Sequence, residues 1–124
     1  MNLEQLINQC MAYPEVEETT PFGPDALVYK VCGKMFALTS PESFPTTVNL
    51  KCAPDRALEL RDEYEAVQPG YHMNKKHWNT VTLDGSIPSK LVTELVDHSF
   101  SLVVQSLKKV DRDRIQIILS GSLD

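Results

Sequence analysis

Between Pro69 and Val81 the sequence PGYHMNKKHWNTV gathers two of the chain's three histidines, two adjacent lysines, a tyrosine and the only tryptophan. Such residues can bind a metal, activate a nucleophile or hold a polyanion, and their spacing separates these chemistries. His72 and His77 lie too far apart to be helical neighbours, which fall about three or four residues apart, and they alternate to opposite faces of a strand. No cysteine or carboxylate falls between Ala66 and Leu83 to complete a coordination shell. A metal site is therefore not expected, and both histidines read as partly exposed loop residues.

Nucleophilic catalysis fares no better. The three cysteines, Cys10, Cys32 and Cys52, are odd in number, contain no CxxC pair and lie among apolar neighbours. Each is expected on a core face, where desolvation raises the thiol pKa and keeps it inert. The sequence holds no GxSxG, HExxH, phosphate-binding loop or GxGxxG. Glu17–Glu18 and Asp62–Glu63 are adjacent carboxylates on solvated surfaces, not acids converging on a cleft. The chain is expected to be no enzyme and to need no cofactor.

What remains is polyanion chemistry, and here charge matters. The chain has 124 residues and a net charge of -5, with 42% hydrophobic and 23% charged residues, a globular composition. The first 29 residues carry five acids and no lysine or arginine, leaving 12 acids and 12 bases in the rest. An acidic N-terminal edge thus precedes a locally basic middle. No basic, apolar leader opens the sequence and no stretch has the length of a membrane span, so a soluble cytoplasmic domain of residues 1–124 is expected, without membrane contact.

The elements that must position the block follow from periodicity. Leu3, Leu6, Ile7, Cys10 and Met11 predict a helix over residues 2–12, closed by Pro14. EVEETTPFGPD reads as an acidic, turn-rich loop. LVYKV and MFALT predict a hairpin about Gly33. In TVNLKC, Val48, Leu50 and Cys52 alternate with Thr47, Asn49 and Lys51, the pattern of a sheet with one buried and one open face. Pro54 opens a second helix ending near Tyr64. Strands over 65–69 and 77–83 flank the block, and Pro88 opens a last helix running to about Leu107. The tail KKVDRDRIQIILSGSLD reads equally as a helical extension or a frayed end. The order α-β-β-β-α-β-β-α predicts a two-layer α+β domain, an antiparallel five-stranded sheet with its helices on one face.

In that arrangement Val81 and Leu83 face the core, so Trp78, Thr80 and Thr82 share the open face with Thr47, Asn49, Lys51 and Lys30. Lys75 and Lys76 stand at its edge. Aromatic groups that stack on bases, flanked by cations that meet phosphates, are the parts of a nucleic-acid surface. A lone tryptophan is also commonly core, and a polar open sheet also suits a homodimer. Two readings stand: a DNA-binding module, and a protein-interaction or dimeric scaffold.

TTPFGPDALVYKVCGKMFAL, NLKCAPDRALELRDEY and PGYHMNKKHWNTV together resemble the MmcQ/YjbR family of small bacterial proteins. The three blocks follow in the family's order from the first helix to about Lys109. The resemblance implies an α+β fold similar to that of type III secretion chaperones, and a DNA-binding role with hairpins acting as wings against double-stranded DNA. The DNA-binding positions it implies are Tyr71, His72, Lys75, Lys76, His77 and Trp78, with Lys34 on the first hairpin. With a pI near 5.1, binding is expected to be weak and salt-sensitive.

Overall fold

The computed structural model describes residues 1–121. Its elements run α1 (Leu3–Ala12), β1 (Val16–Thr19), β2 (Leu27–Val31), β3 (Lys34–Thr39), β4 (Thr47–Lys51), α2 (Pro54–Glu63), β5 (Val67–Pro69), β6 (Trp78–Thr82), α3 (Ser89–Gln105) and α4 (Lys109–Ser120). All strand pairs are antiparallel, in the spatial order β1-β2-β3-β4-β6-β5. The α+β sheet with helices against it is as expected, but it has six strands where five are expected.

The additional strand, β1, lies inside the segment read as an acidic loop. It is a four-residue edge strand with Val16 and Glu18 on the inward side, paired with Val31 and Tyr29. The inward Glu18 carboxylate accepts the Tyr29 hydroxyl at 2.8 Å. An acid at an inward position conceals the alternation by which strands are recognised. The second departure is the tail. α3 stops at Gln105, the buried Leu107 plugs the break, and a separate helix α4 follows, closed by Gly121 in the left-handed region at φ 72°. The last three residues of the tail lie outside the described residues.

The β4 register is as the alternation requires. Val48 and Leu50 are buried, and Thr47, Asn49 and Lys51 are not. Leu50 pairs with Ala37 and Asn79, and Val48 pairs with Thr39 and Val81. A bulge between β2 and β3 leaves Phe36 as the extra residue, so Phe36 and Ala37 can both turn inward, and both are buried. Phe36 meets Phe100 of α3 edge to face at 5.2 Å, and Tyr13 stacks on Phe100 at 4.3 Å. Ser99 of α3 bridges the layers: its hydroxyl donates to Phe36 O at 2.5 Å and accepts from Lys51 N–H at 2.9 Å. This pins α3 across the centre of the sheet.

The β2–β3 turn corrects one expectation. Cys32 and Gly33 are a two-residue turn with φ of 49° and 80°, both left-handed, between the paired Val31 and Lys34. Cys32 is consequently exposed, whereas Cys10 and Cys52 are buried. The expectation that all three cysteines face the core fails at Cys32, because a tight turn directs its side chain to solvent whatever its neighbours.

Candidate nucleic-acid interface

The loop joining β5 to β6 carries the basic-aromatic block, and two devices hold it. The first is steric: a Cβ on Gly70 would lie 2.8 Å from Trp78 Cβ and 3.0 Å from Met73 Cβ. Only glycine lets the two strand ends close this tightly. Gly70 N–H donates to Trp78 O at 2.9 Å and Tyr71 N–H to Thr80 Oγ1 at 3.0 Å.

The second device is Arg61, on α2. Its Nε donates to Asn79 Oδ1 at 2.7 Å, and its Nη2 donates to the carbonyls of Lys75 and, at 3.3 Å, Trp78. Asn79 is only 2% exposed, and its amide donates to Ala57 O at 3.5 Å. One guanidinium therefore ties the loop to α2 through a buried side chain and two backbone oxygens. A planar fork of donors suits this task; a lysine ammonium does not. In the sequence Arg61 is one more residue of an amphipathic helix, and Asn79 an ordinary strand position. Only the inward parity of Asn79, between outward Trp78 and Thr80, hints that a buried amide needs a partner.

With the loop so fixed, Tyr71, His72, Lys75 and Lys76 are exposed, while His77 and Trp78 are half-buried. Tyr71 is 70% exposed, and its ring lies 4.0 Å from that of His72, which sits at φ 59°. Lys75 Nζ folds back on Gly70 O at 3.2 Å. His77 contributes its carbonyl to Cys52 N–H at 2.8 Å and so helps close the β4–β6 edge. Six of the seven expected DNA-binding positions thus fall on one hairpin. Lys34 stands on the other hairpin at the same end of the sheet, but it is engaged: Nζ donates to Ser106 O at 2.9 Å, where it caps the C-terminus of α3.

Charge is sorted along the strand axis. The Cys32–Gly33 turn, the β4 C-terminus, the 70–77 loop and the start of α4 share one end. That end carries Lys34, Lys51, Lys75, Lys76, Lys108 and Lys109. The opposite end carries Asp25, Glu42, Glu63, Glu65 and Asp84, with Lys90. Acids on the lysine-rich end are partly consumed: Arg114 binds both oxygens of Glu15, at 2.8 and 2.7 Å, and Asp111 at 2.9 Å, while Asp55, in the first turn of α2 just past Lys51, stays exposed.

Desolvation raises all three thiols. Burial pushes the Cys10 thiol up to about 12, with Glu18 adding to the effect. Cys52 is also raised by burial, against Arg56 and Arg61. Exposed Cys32 is raised too, by partial desolvation and then by Asp111 and Glu15. Among the described residues no three His, Cys, Asp or Glu side chains cluster as metal ligands, and no helix is long and apolar enough to cross a membrane.

Known proteins resemble this chain along most of its length. The uncharacterized protein YbdF of Escherichia coli O157:H7 is 41% identical over 103 residues, covering 83% of this chain and 84% of YbdF. The uncharacterized protein YjbR of Escherichia coli K12 is 36% identical, covering 90% of this chain and 95% of YjbR. The crystal structure of Deinococcus radiodurans protein DR2400, a DUF419 domain, superposes with a TM-score of 0.86 at 40% identity, over 93% of this chain and 88% of that one. A crystal structure from Pseudomonas syringae gives a TM-score of 0.72 at 28% identity, over 82% of this chain and 98% of that one. The YjbR family model itself matches residues 11–102, so the chain belongs to the YjbR family.

Proposed function

We propose that this chain is a non-enzymatic, cytoplasmic DNA-binding module that meets its ligand through the β5–β6 hairpin. One observation carries the reading: Arg61 and Gly70 hold the loop so that Tyr71, His72, Lys75 and Lys76 all reach solvent, within a stretch, residues 66–83, free of acid. Preorganisation matters because a loop already held loses little entropy on binding. Lysines meet phosphates as point charges, and the exposed Tyr71 offers a ring to a base. Since the whole molecule is acidic, the affinity should be low and fall steeply with salt.

The test is a titration of labelled DNA at two salt concentrations, for wild type and for Lys75→Ala combined with Lys76→Ala. Removing two cations that meet phosphates should flatten the salt slope by about 1.4–1.8 without unfolding the protein. An unchanged affinity in a folded double variant would remove the hairpin from the interface.

A second reading has its own observation. Val110 and Ile117, about two turns apart on one face of α4, are exposed apolar residues, and exposed apolar surface commonly marks protein contacts. Absence of any DNA binding at low salt, together with a dimer or a captured partner that a Val110→Ser, Ile117→Ser variant loses, would favour the interaction scaffold.

A further inference from the structure

The open face of the sheet continues directly from the hairpin, and its charge is one-sided. Residues paired across antiparallel strands share a face, so the register places Lys30, Asn49, Lys51, Trp78 and Thr80 together on the side away from the helices. Lys51 and Trp78 are direct cross-strand partners, as are Asn49 and Thr80, whose hydroxyl donates to Asn49 Oδ1. The one acid with this parity among the described strands is Glu17, opposite Lys30 on the far edge. The face thus offers a half-buried indole, amide and hydroxyl groups, and lysines, with more lysines on the rim at the 75–76 turn. The same parity adds half-buried Met35 and Leu38 and the buried Val28 on β2 and β3, so its polar part is the β4–β6 side with Lys30 beyond.

Resting on the DNA-binding reading above, we infer that the preferred ligand is a single strand, laid across this face with a base against Trp78 and its phosphates along Lys51 and Lys30. Dimensions and chemistry both point this way. Six strands span about 24 Å, twice the roughly 12 Å of a major groove, so the face cannot enter a duplex. In a duplex the base faces are covered by their neighbours, and an aromatic on a flat sheet has nothing to stack on. An unpaired strand presents base faces to the indole and base edges to the amide nitrogen of Asn49. Because stacking tolerates any base, binding should depend on strandedness more than on sequence.

The chain's single tryptophan makes the test direct. Intact protein is titrated at low salt with oligothymidine of about 12 nucleotides, within the usual reach of such a platform, and with a duplex of equal length. The expected result is quenching of Trp78 emission by the single strand, with an affinity at least about tenfold above the duplex, the equivalent of one base–aromatic stack. Lys51→Ala, a surface change on β4 outside the 70–77 loop, should reduce the single-strand salt slope by about 0.7. Equal or tighter duplex binding, with Trp78 emission unchanged by the single strand, overturns this inference and leaves the hairpin reading standing. Failure of both polymers to bind removes the two together.

Discussion

Replacing Arg61 by alanine removes a cation that serves three acceptors: Asn79 Oδ1 and the carbonyls of Lys75 and Trp78. These do not count equally. The Lys75 carbonyl belongs to an exposed turn, where water replaces the missing donor at little cost. Asn79 is 2% exposed, so its oxygen loses a charged donor without water to take its place. Leaving such a buried acceptor unmet costs about 1–3 kcal/mol. A value near 2 kcal/mol lowers the melting temperature of a domain of this length by roughly 6–10 °C. Arg61→Lys should recover only part of this, since an ammonium cannot present the fork that reaches Asn79 and Trp78 together.

The same substitution should act locally as well as globally. Urea unfolding gives the global effect, and amide exchange at Gly70 and Trp78, whose N–H groups donate to Trp78 O and Asn74 O, reports on the loop. Exchange there should accelerate beyond what the stability loss explains, because the tie to α2 is gone. Asn79→Ala closes a double-mutant cycle, with a coupling to Arg61 of about 1–2 kcal/mol. If Arg61→Ala costs less than about 0.5 kcal/mol, the range of an ordinary surface change, and the loop amides exchange as in wild type, the clamp does not exist.

Other positions give independent checks. Gly70→Ala should cost about 1–3 kcal/mol by urea unfolding, from overpacking against Trp78 and Met73 and not from backbone strain; a neutral result would mean that the strand ends do not close so tightly. In native protein a thiol reagent should modify Cys32 first and leave buried Cys10 and Cys52 until denaturation, so mass analysis that finds Cys10 labelled early would contradict the core. His98 accepts the Ala53 N–H at 3.2 Å through Nε2, and burial, then Arg56, hold its pKa below the ordinary value of 6.5. The folded state therefore favours neutral His98: its contribution is complete above about pH 6.5 and lost as pH falls through the lowered folded value. The stability gap between wild type and His98→Gln should accordingly narrow from about pH 7.5 to about pH 5.5, and a gap that widened on acidification would refute the assignment.

The fold was largely legible because its core strands obey strict period-two alternation. Val48 and Leu50 point inward and Asn49 outward, and one residue of slip would have exposed both. The strand without a sequence signature, β1, is short and carries Glu18 at an inward position that Tyr29 satisfies from another strand. That is tertiary compensation, invisible to a local pattern. The Cys32 error has the reverse cause: apolar neighbours suggest burial, but two left-handed residues in succession place the side chain outside. The basic-aromatic block was visible as composition. Its scaffold was not, since Arg61 and Asn79 are far apart in sequence and neither is unusual where it stands.

The largest gap between sequence and structure concerns charge. A net charge of -5 argues against a polyanion ligand only if the charges are mixed evenly over the surface. Folding instead sends the loops with Asp25, Glu42 and Asp84 to one end of the strands and the lysine-bearing turns to the other. At physiological salt the screening length is about 8 Å, whereas a five-residue strand is about 17 Å long. A phosphate approaching the hairpin therefore meets the field of Lys51, Lys75 and Lys76 with the far acids largely screened. Lowering the salt lengthens that reach and brings the distant carboxylates into play, so the rise in affinity should level off below about 0.01 M, where the screening length of about 30 Å spans the strand axis. An affinity that continued to climb with undiminished slope through that range would mean that the acidic end is never felt, and that the separation of charge along the strands has no part in binding.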